Sequence, residues 1–486
     1  MSGIFGGFAE TNLAEMLYRG TNGLKHLGMA WGGMLTWDDR IPTNKFHRIE
    51  NTPFLSKFER DLGALKGKLG IGVISSDDRQ PMLYHSKIGS FGIVTQGNFQ
   101  NLSALGEMLL NKDAIFDEMT PDPEEPTGYR FNKNEVVARI ITRSPNIVSG
   151  IKRVWDEIGV NGSLSMLIIT PAGIFVARDR RGTFPLCLAK KDGYCFIASE
   201  TTAFGNLGFN EEHYQELKAG EIGFIDKNGY KIIEPGHDNF KLCAFLFVYT
   251  AFVEAVIHGI DVEQSRYATG AMLWKKFQEL NLGINLDYVT GIPDSGTGHG
   301  LGISHASGLP FERPIVKKED IRSYIYGTQE ARDNAAFHKL RVKRNLIKGK
   351  KFFISDDSLV RNTQLGELIA KIGVCHPAEV FLGLACPPLI EICPFEVSTR
   401  KRNELAARRA MAALEDKSPD EIDIKPYLDP TTPQYHEMVE WIRRDLNHES
   451  PIEVVKRIIY PTVAEMIQAI GLPKENLCTF CWTGQK

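Results

Sequence analysis

Four stretches of the chain carry side chains whose types and spacing suit chemistry. The first is KKFFISDDSLVRNTQLGE, where an apolar run ends in adjacent carboxylates, Asp356 and Asp357. A turn rich in hydroxyls and amides follows, and a helical pattern begins near Thr363. Ligands of open α/β sheets bind beyond the carboxyl ends of the strands, and a helix N-terminus there offers unbonded N–H groups and partial positive charge to an anion. Two carboxylates repel a bare phosphate, but they suit a ligand that also carries sugar hydroxyls, a developing cation or Mg²⁺. A solvated acidic turn that caps the helix accounts for the same letters. The second stretch is VTGIPDSGTGHGLG, again a strand, a tight turn at Pro293-Asp294-Ser295-Gly296, and small residues that open a helix. Backbone amides in such a turn suit a second phosphate. The third is CTFCW, which spaces Cys478 and Cys481 as CxxC; that spacing alone is open between metal, a redox dithiol and no role. The fourth is the opening MSGIFGGF. Removal of the initiator Met leaves Ser2 with a free α-amine beside its hydroxyl, the arrangement of an N-terminal nucleophile that uses its own amine as base.

These side chains need elements to place them. Up to about residue 235 the chain reads mainly as β: LGIGVISS, GSFGIVTQGN, SLSMLIITPAGIFVARD and GYCFIASE are apolar or alternating runs broken by glycine turns. Helical spacing interrupts them near residues 10–26 and 134–144. MSGIFGG is expected to be a buried edge strand that sets residue 2 in a cleft. From about residue 245 the texture changes to helix (DVEQSRYATGAMLWKKFQEL), strand and turn (LDYVTGIPDSG), strand and turn (KGKKFFISDDSLVRN), helix (TQLGELIAKIG) and strand (AEVFLGLACPP). Near-continuous apolar strands alternating with helices predict a parallel α/β sheet. The final stretch, from STRKRNELAARRAMAAL onward, reads as helical and wrapping one of the domains.

The 486 residues suit two to four domains. With 43% hydrophobic and 24% charged residues the composition is globular, and a net charge of −3 gives no footprint for nucleic acid or an anionic membrane. No apolar run is long enough to span a bilayer and no signal-peptide pattern opens the chain, so a cytoplasmic protein is expected. Eight cysteines in that setting are core residues, metal ligands or reactive thiols rather than structural disulfides.

DDSLVRNT, IPDSGTGHGLG before SGLPFE, and KGKKFFIS resemble the glutamine phosphoribosylpyrophosphate amidotransferases, or amidophosphoribosyltransferases, and the resemblance runs from residue 2 to the C-terminus. It implies an N-terminal Ntn-hydrolase-type αββα glutaminase-like domain over 2–235. A type I phosphoribosyltransferase α/β domain over 245–400 and a helical C-terminal segment over 401–486 follow. It implies that Asp356 and Asp357 face the ribose hydroxyls and Mg²⁺, that Ser358, Val360, Arg361 and Thr363 line the 5′-phosphate loop, and that Asp294, Ser295 and Gly296 form the pyrophosphate side. It further implies a 4Fe–4S cluster on Cys243, Cys393, Cys478 and Cys481, while Cys187, Cys195, Cys375 and Cys386 stand in apolar contexts as core residues. A homo-oligomer that acts in purine biosynthesis, with phosphoribosyl pyrophosphate or a related sugar phosphate and ammonia as partners, is implied by resemblance alone.

The sequence departs from the family pattern where glutamine chemistry would sit. Ser2 replaces the family's Cys, ahead of Gly3-Ile4-Phe5-Gly6; Ser75 in GVISSDD takes the place of the carboxylate-binding Arg. Gln96-Gly97 in TQGN replaces the oxyanion-hole Asn-Gly, and Lys133 in KNE replaces the amine-binding Asp. The phosphate loop carries Asn362 for Gly and Gln364 for Thr, and KEDIRSYIY (318–326) rewrites the closing loop. The expected function is amidophosphoribosyltransferase-like: phosphoribosyl pyrophosphate binding or ammonia-dependent amination, with glutaminase activity weak or lost. A non-catalytic Fe–S sensor and a Ser2 amidase with an altered substrate are the alternatives.

Overall fold

The computed structural model describes residues 2–39, 41–123, 125, 127–317, 340–395 and 401–485. The rewritten closing loop therefore lies outside the described residues. The chain divides into two compact units, the first built on Met1–Cys243 and the second on Ala244–Glu254, Gly259–Cys393 and the C-terminal segment, with Ala255–His258 counted to the first.

The first unit is a pair of antiparallel sheets between helices. Its strands open with β1 (Ser2–Phe8), β2 (Trp31–Asp38), β3 (Ile41–Arg48), β4 (Leu69–Ser75), β5 (Met82–Ser86) and β6 (Gly89–Phe99). They continue with β7 (Gly162–Thr170), β8 (Gly173–Ala177), β9 (Cys187–Lys191), β10 (Tyr194–Ala198), β11 (Tyr214–Glu216), β12 (Ile222–Asp226) and β13 (Gly229–Glu234). One sheet runs β11-β9-β10-β1-β4-β2-β3, the other β13-β12-β8-β7-β6-β5. Side chains alternate across a strand. Ile4 and Phe8 of β1, Ile71 and Val73 of β4, and Val94 of β6 all join one core between the sheets. Phe5 faces the other way, into a core with Leu13, Leu17 and Phe196 under α1 (Ala14–Gly23). On the far side, α2 (Leu102–Leu110), α3 (Lys133–Thr142) and α4 (Ile147–Ile158) cover the second sheet through Leu105, Val137, Ile141, Ile151 and Val154. This is a four-layer αββα sandwich. Of these helices, α2 and α4 are not among the helical patterns expected from the sequence.

The edge-strand expectation for β1 is corrected. All seven of its residues are buried, and it pairs with β4 on one side and β10 on the other. Its pairing with β10 starts only at Phe5, so Ser2 is laddered on one side, to Ser75. An open backbone position at the head of a central strand thus takes the place of an edge.

In the second unit, β14 (Tyr288–Gly291), β15 (Lys351–Asp356), β16 (Glu379–Leu384) and β17 (Val455–Ile459) form a parallel sheet in that order. Around it lie α5 (Val262–Glu279), α6 (Thr297–Ser307), α7 (Thr363–Gly373), α8 (Ala406–Glu415), α9 (Pro433–Asn447) and α10 (Val463–Ile470). Leu365, Leu368 and Ile372 of α7, Ala410 of α8, and Met438 and Ile442 of α9 share one core with Phe352 and Ile354 of β15. The C-terminal stretch is not wholly helical: β17 supplies the fourth strand beside β16, with Val455 buried in the core of α7 and α9 and Ile459 in the core with Phe353 and Phe381. No described helix is long and apolar enough to cross a membrane.

Candidate functional site

Each unit gathers one cluster of sequence-singled residues. In the first, Ser2 heads β1 opposite Ser75, and their hydroxyls lie 3.2 Å apart, both side chains buried. Gln96 shares the inner face of β6 with Val94; its amide oxygen accepts from Ser199 Oγ at 3.0 Å, and Ser199 Oγ in turn accepts from the Ile4 N–H at 2.9 Å. Gly97 adopts φ +105°, and a Cβ there would stand 2.1 Å from the Ser163 carbonyl oxygen, so glycine is required. The carbonyl of Gly97 accepts from Lys133 Nζ at 2.5 Å.

Lys133 is the first residue of α3, fixed because the Asn132 side chain caps the helix by accepting from the N–H groups of Asn134 and Glu135. Only 6% of Lys133 is exposed. Its own N–H donates to Asp78 Oδ2 at 3.3 Å, and Arg130 stands 3.5 Å from the other Asp78 oxygen. Burial raises the Asp78 carboxyl above the usual range, and the charges of Lys133 and Arg130 oppose that shift. Neither Asp78 nor Arg130 stood out in the sequence; the only signal was that Asp78 falls three residues beyond Ser75. The pocket therefore satisfies itself: its hydroxyls pair with each other, and its ammonium is bound to its own carbonyl.

In the second unit, β14 and β15 run side by side, and both end toward the same rim. The Ile292 N–H continues the pairing onto the Ser355 carbonyl, and the turn closes with Gly296 N–H on the Ile292 carbonyl at 2.8 Å. A Cβ on Gly296 would lie 2.2 Å from the Ser355 oxygen, so only glycine lets the two strand ends meet. Ser295 Oγ then donates to Asp356 Oδ1 at 2.9 Å, and Ser358 Oγ donates to Asp357 Oδ2 at 2.5 Å. Among the described residues neither carboxylate forms an ion pair, and Asp357 is 8% exposed. Burial and the charge of Asp357 hold the Asp356 carboxyl well above the usual range; burial raises Asp357 too, opposed by the hydroxyls of Ser358 and Ser295.

Beyond the acids, Asn362 sits in the left-handed region at φ 70° and α7 starts at Thr363, with no side chain capping its first turn. Those amides remain available to an anion. Arg361 and Asp294 are turned elsewhere: Arg361 pairs with Glu404 at 2.5 Å, and Lys317 Nζ holds Asp294 Oδ2 at 2.6 Å. The structure thus brings Ser295, Gly296, Asp356, Asp357, Ser358 and the Thr363 helix start to one rim. Tyr249 was not singled out in the sequence, yet burial and the charges of Asp357 and Asp356 raise its phenol.

Two hard carboxylates that form no ion pair among the described residues fit Mg²⁺. Of the thiols, Cys187, Cys195, Cys375 and Cys386 are buried, whereas Cys243, Cys393, Cys478 and Cys481 are half-buried. The Cys481 carbonyl accepts from the N–H groups of Ile390 and Glu391, which ties the CxxC to the segment that carries Cys393. Among the described residues no group of three or more His, Cys, Asp or Glu is gathered as metal ligands.

No family model matches the chain. The amidophosphoribosyltransferase of Methanothermobacter thermautotrophicus is 27% identical across 99% of this chain and 93% of its own. That of Bacillus subtilis is 26% identical across 83% of each. The chain is an amidophosphoribosyltransferase homologue. Among solved structures, one described as the allosteric regulatory enzyme of purine biosynthesis matches with a TM-score of 0.79 and 25% identity, over 99% of this chain and 95% of that one. The glutamine phosphoribosylpyrophosphate amidotransferase of B. subtilis, complexed with ADP and GMP, matches with the same TM-score at 24% identity, over 99% and 96%, a likeness of fold. Amidophosphoribosyltransferases thus share with this chain the αββα sandwich followed by the parallel α/β sheet.

Proposed function

We propose that this chain transfers a phosphoribosyl group from phosphoribosyl pyrophosphate to ammonia at the rim of the second unit, with glutamine hydrolysis in the first unit weak or lost. The observation that supports the first half is the pair of acids, Asp356 and Asp357, with no ion pair among the described residues, beside the uncapped start of α7. The 5′-phosphate docks on the amides of the loop that ends at Thr363. The bond from C1 to the pyrophosphate oxygen breaks, and pyrophosphate leaves with the electron pair. Positive charge develops at C1 and the ring oxygen, and the carboxylates of Asp356 and Asp357 lower its energy. The nitrogen lone pair of ammonia then bonds to C1 and the nitrogen loses a proton. Asp356 and Asp357 would hold Mg²⁺, which when bound would neutralise charge on the departing pyrophosphate. A solved structure at 25% identity, described as the allosteric regulatory enzyme of purine biosynthesis, supports such a role for this chain.

The second half of the proposal rests on the Ser2 pocket. Without an Arg at position 75 a glutamine carboxylate lacks its bidentate partner. With Lys133 buried on the Gly97 carbonyl, an ammonium meets another ammonium. Each change removes about 1.5–3 kcal/mol of charge-assisted contact. Ser2, harder to deprotonate than a thiol, remains a nucleophile for another amide. Wild type and Ser2→Ala compared over a panel of amides test that reading; equal rates would end it.

The half-buried thiols Cys243, Cys393, Cys478 and Cys481 supply the donor chemistry of a 4Fe–4S cluster. Anaerobically purified protein is expected to be brown, with four irons per chain; colourless, iron-free protein would remove the cluster from the account.

The test of the main reading is product formation from phosphoribosyl pyrophosphate with ammonium or with glutamine as nitrogen donor. Turnover with ammonium and none with glutamine is expected. Normal glutamine-driven turnover would overturn the reading of the Ser2 pocket, and no turnover with either would overturn the transferase reading.

A further inference from the structure

The loop that leads into α7 is bonded from behind by the C-terminal segment. The Val360 carbonyl accepts from the Ala406 N–H at 2.8 Å, and the Arg361 carbonyl accepts from the Arg409 guanidinium at 2.8 Å. The Arg361 guanidinium pairs with Glu404 at 2.5 Å. The Asn362 Nδ2 donates to Asp445 Oδ2 at 2.5 Å, and Asp445 is also 3.5 Å from Arg409. Three consecutive loop residues are therefore each fixed to α8, α9 or the turn before α8.

Asn362 joins two requirements in one residue. Its φ of 70° lies in the left-handed region, where glycine is comfortable and asparagine is the best tolerated alternative. A glycine would satisfy the backbone alone. Asparagine adds an amide that reaches Asp445, 83 residues further on, and it is 92% buried at that contact. A cleft of about 170 Å³ runs along the same contact, lined by Asn362, Thr363, Gly366, Arg409, Asp445 and His448. One side of the loop thus faces the acids, and the other closes on the C-terminal helices.

We infer that Asn362 and Asp445 form a latch that positions the phosphate-binding loop, with Arg409 as its support, so that the sugar phosphate meets an already ordered set of amides. Asp445 and Asn362 act here as positioning residues, through the backbone of Val360–Thr363. A carboxylate bonded to a buried amide contributes through ordering, because a loop fixed beforehand leaves less conformational entropy to be lost when the ligand binds. The binding consequence rests on the transferase reading given above; the ordering of the loop does not.

The experiment compares full-length wild type with Asn362→Gly, Asp445→Ala and the double variant. Glycine keeps the backbone conformation and removes only the amide, so folding is preserved. Amide hydrogen exchange of residues 358–363 without ligand is expected to speed up about tenfold in each single variant. The double variant is expected to be no faster than the singles, because both remove one contact. Titration of Mg²⁺ and phosphoribosyl pyrophosphate is expected to show affinity about five- to tenfold lower in Asn362→Gly, with the melting temperature little changed. Unchanged exchange in both single variants would overturn the latch. Faster exchange with unchanged affinity would leave Asn362 and Asp445 as stability contacts and overturn their positioning role. Wild type that fails to bind while exchange responds as expected would sink the transferase reading and leave the latch standing.

Discussion

The Ser2 pocket and the Asp356–Asp357 rim are both buried polar clusters, and they resolve their burial in opposite ways. In the first, the polar groups named have partners in the chain: Lys133 on the Gly97 carbonyl, Asp78 between the Lys133 N–H and Arg130, and the Ser2 hydroxyl on that of Ser75. In the second, burial raises both carboxyls and the charge of Asp357 raises Asp356 further, and among the described residues they receive hydroxyl and amide donors but no cation. A satisfied cluster contributes to stability. A cluster left short of positive charge costs stability until a cation or a cation-bearing ligand arrives. On the proposed reading, the difference separates a pocket that has become structure from one still arranged for a ligand.

The largest effect that would break this contrast is on binding. Asp356→Asn is expected to weaken Mg²⁺-dependent phosphoribosyl pyrophosphate binding by about 3 kcal/mol, roughly a hundredfold, measured by calorimetry. Binding that survives within a few-fold would deny the acids their role. Next comes a difference of sign in stability. Lys133→Ala strips the Gly97 carbonyl of its donor and is expected to lower unfolding free energy by about 1–3 kcal/mol in urea. Asp356→Asn relieves like-charge repulsion and is expected to raise it, by about 1–2 kcal/mol above neutral pH without Mg²⁺.

The pH dependence sharpens the same point. The Asp356 carboxyl is raised in the folded state, so the folded protein holds its proton to higher pH than the unfolded chain does. Its contribution to stability is present below the ordinary carboxylate range and is lost as pH rises through the raised one. Melting temperatures without Mg²⁺ should therefore fall with rising pH more steeply in wild type than in Asp356→Asn, and added Mg²⁺ should restore them. Parallel curves for the two proteins would contradict the raised carboxyl. The smallest effect is at Ser75→Ala, which deletes the hydroxyl pair with Ser2 and is expected to cost about 0.5–1.5 kcal/mol by thermal melting. Ser2→Cys alone should leave glutamine hydrolysis undetectable, since Ser75 and Lys133 stay in place.

Much of this was legible in the letters. KKFFISDDSLVRNTQLGE reads as strand, turn and helix because the apolar run Phe352-Phe353-Ile354 ends two residues before Asp356 and the helical period begins at Thr363, where α7 starts. The parallel order of β14, β15 and β16 follows from that alternation. The position of β1 did not: SGIFGGF reads as an edge, yet Gly6 lets β4 and Gly7 lets β10 approach closely, one on each side. β17 was hidden because Val455-Lys456-Arg457-Ile458-Ile459 lies among helices and carries two cations. Ser2, Ser75, Gln96 and Lys133 were singled out one at a time, but that Lys133 would close on Gly97 depends on the cap at Asn132 and on the positive φ of Gly97. Asp445 carries no local signal at all; only the meeting of α9 with the loop gives it a partner 83 residues away.

The central claim is that the Asp356–Asp357 rim is built for an activated sugar phosphate brought with a divalent cation. Calorimetric titration of phosphoribosyl pyrophosphate into the full chain, with and without Mg²⁺, tests it most directly. The account requires saturable binding with one site per chain when Mg²⁺ is present, and loss of that heat when it is chelated. A flat titration in the presence of Mg²⁺, from protein that melts cooperatively, would contradict it.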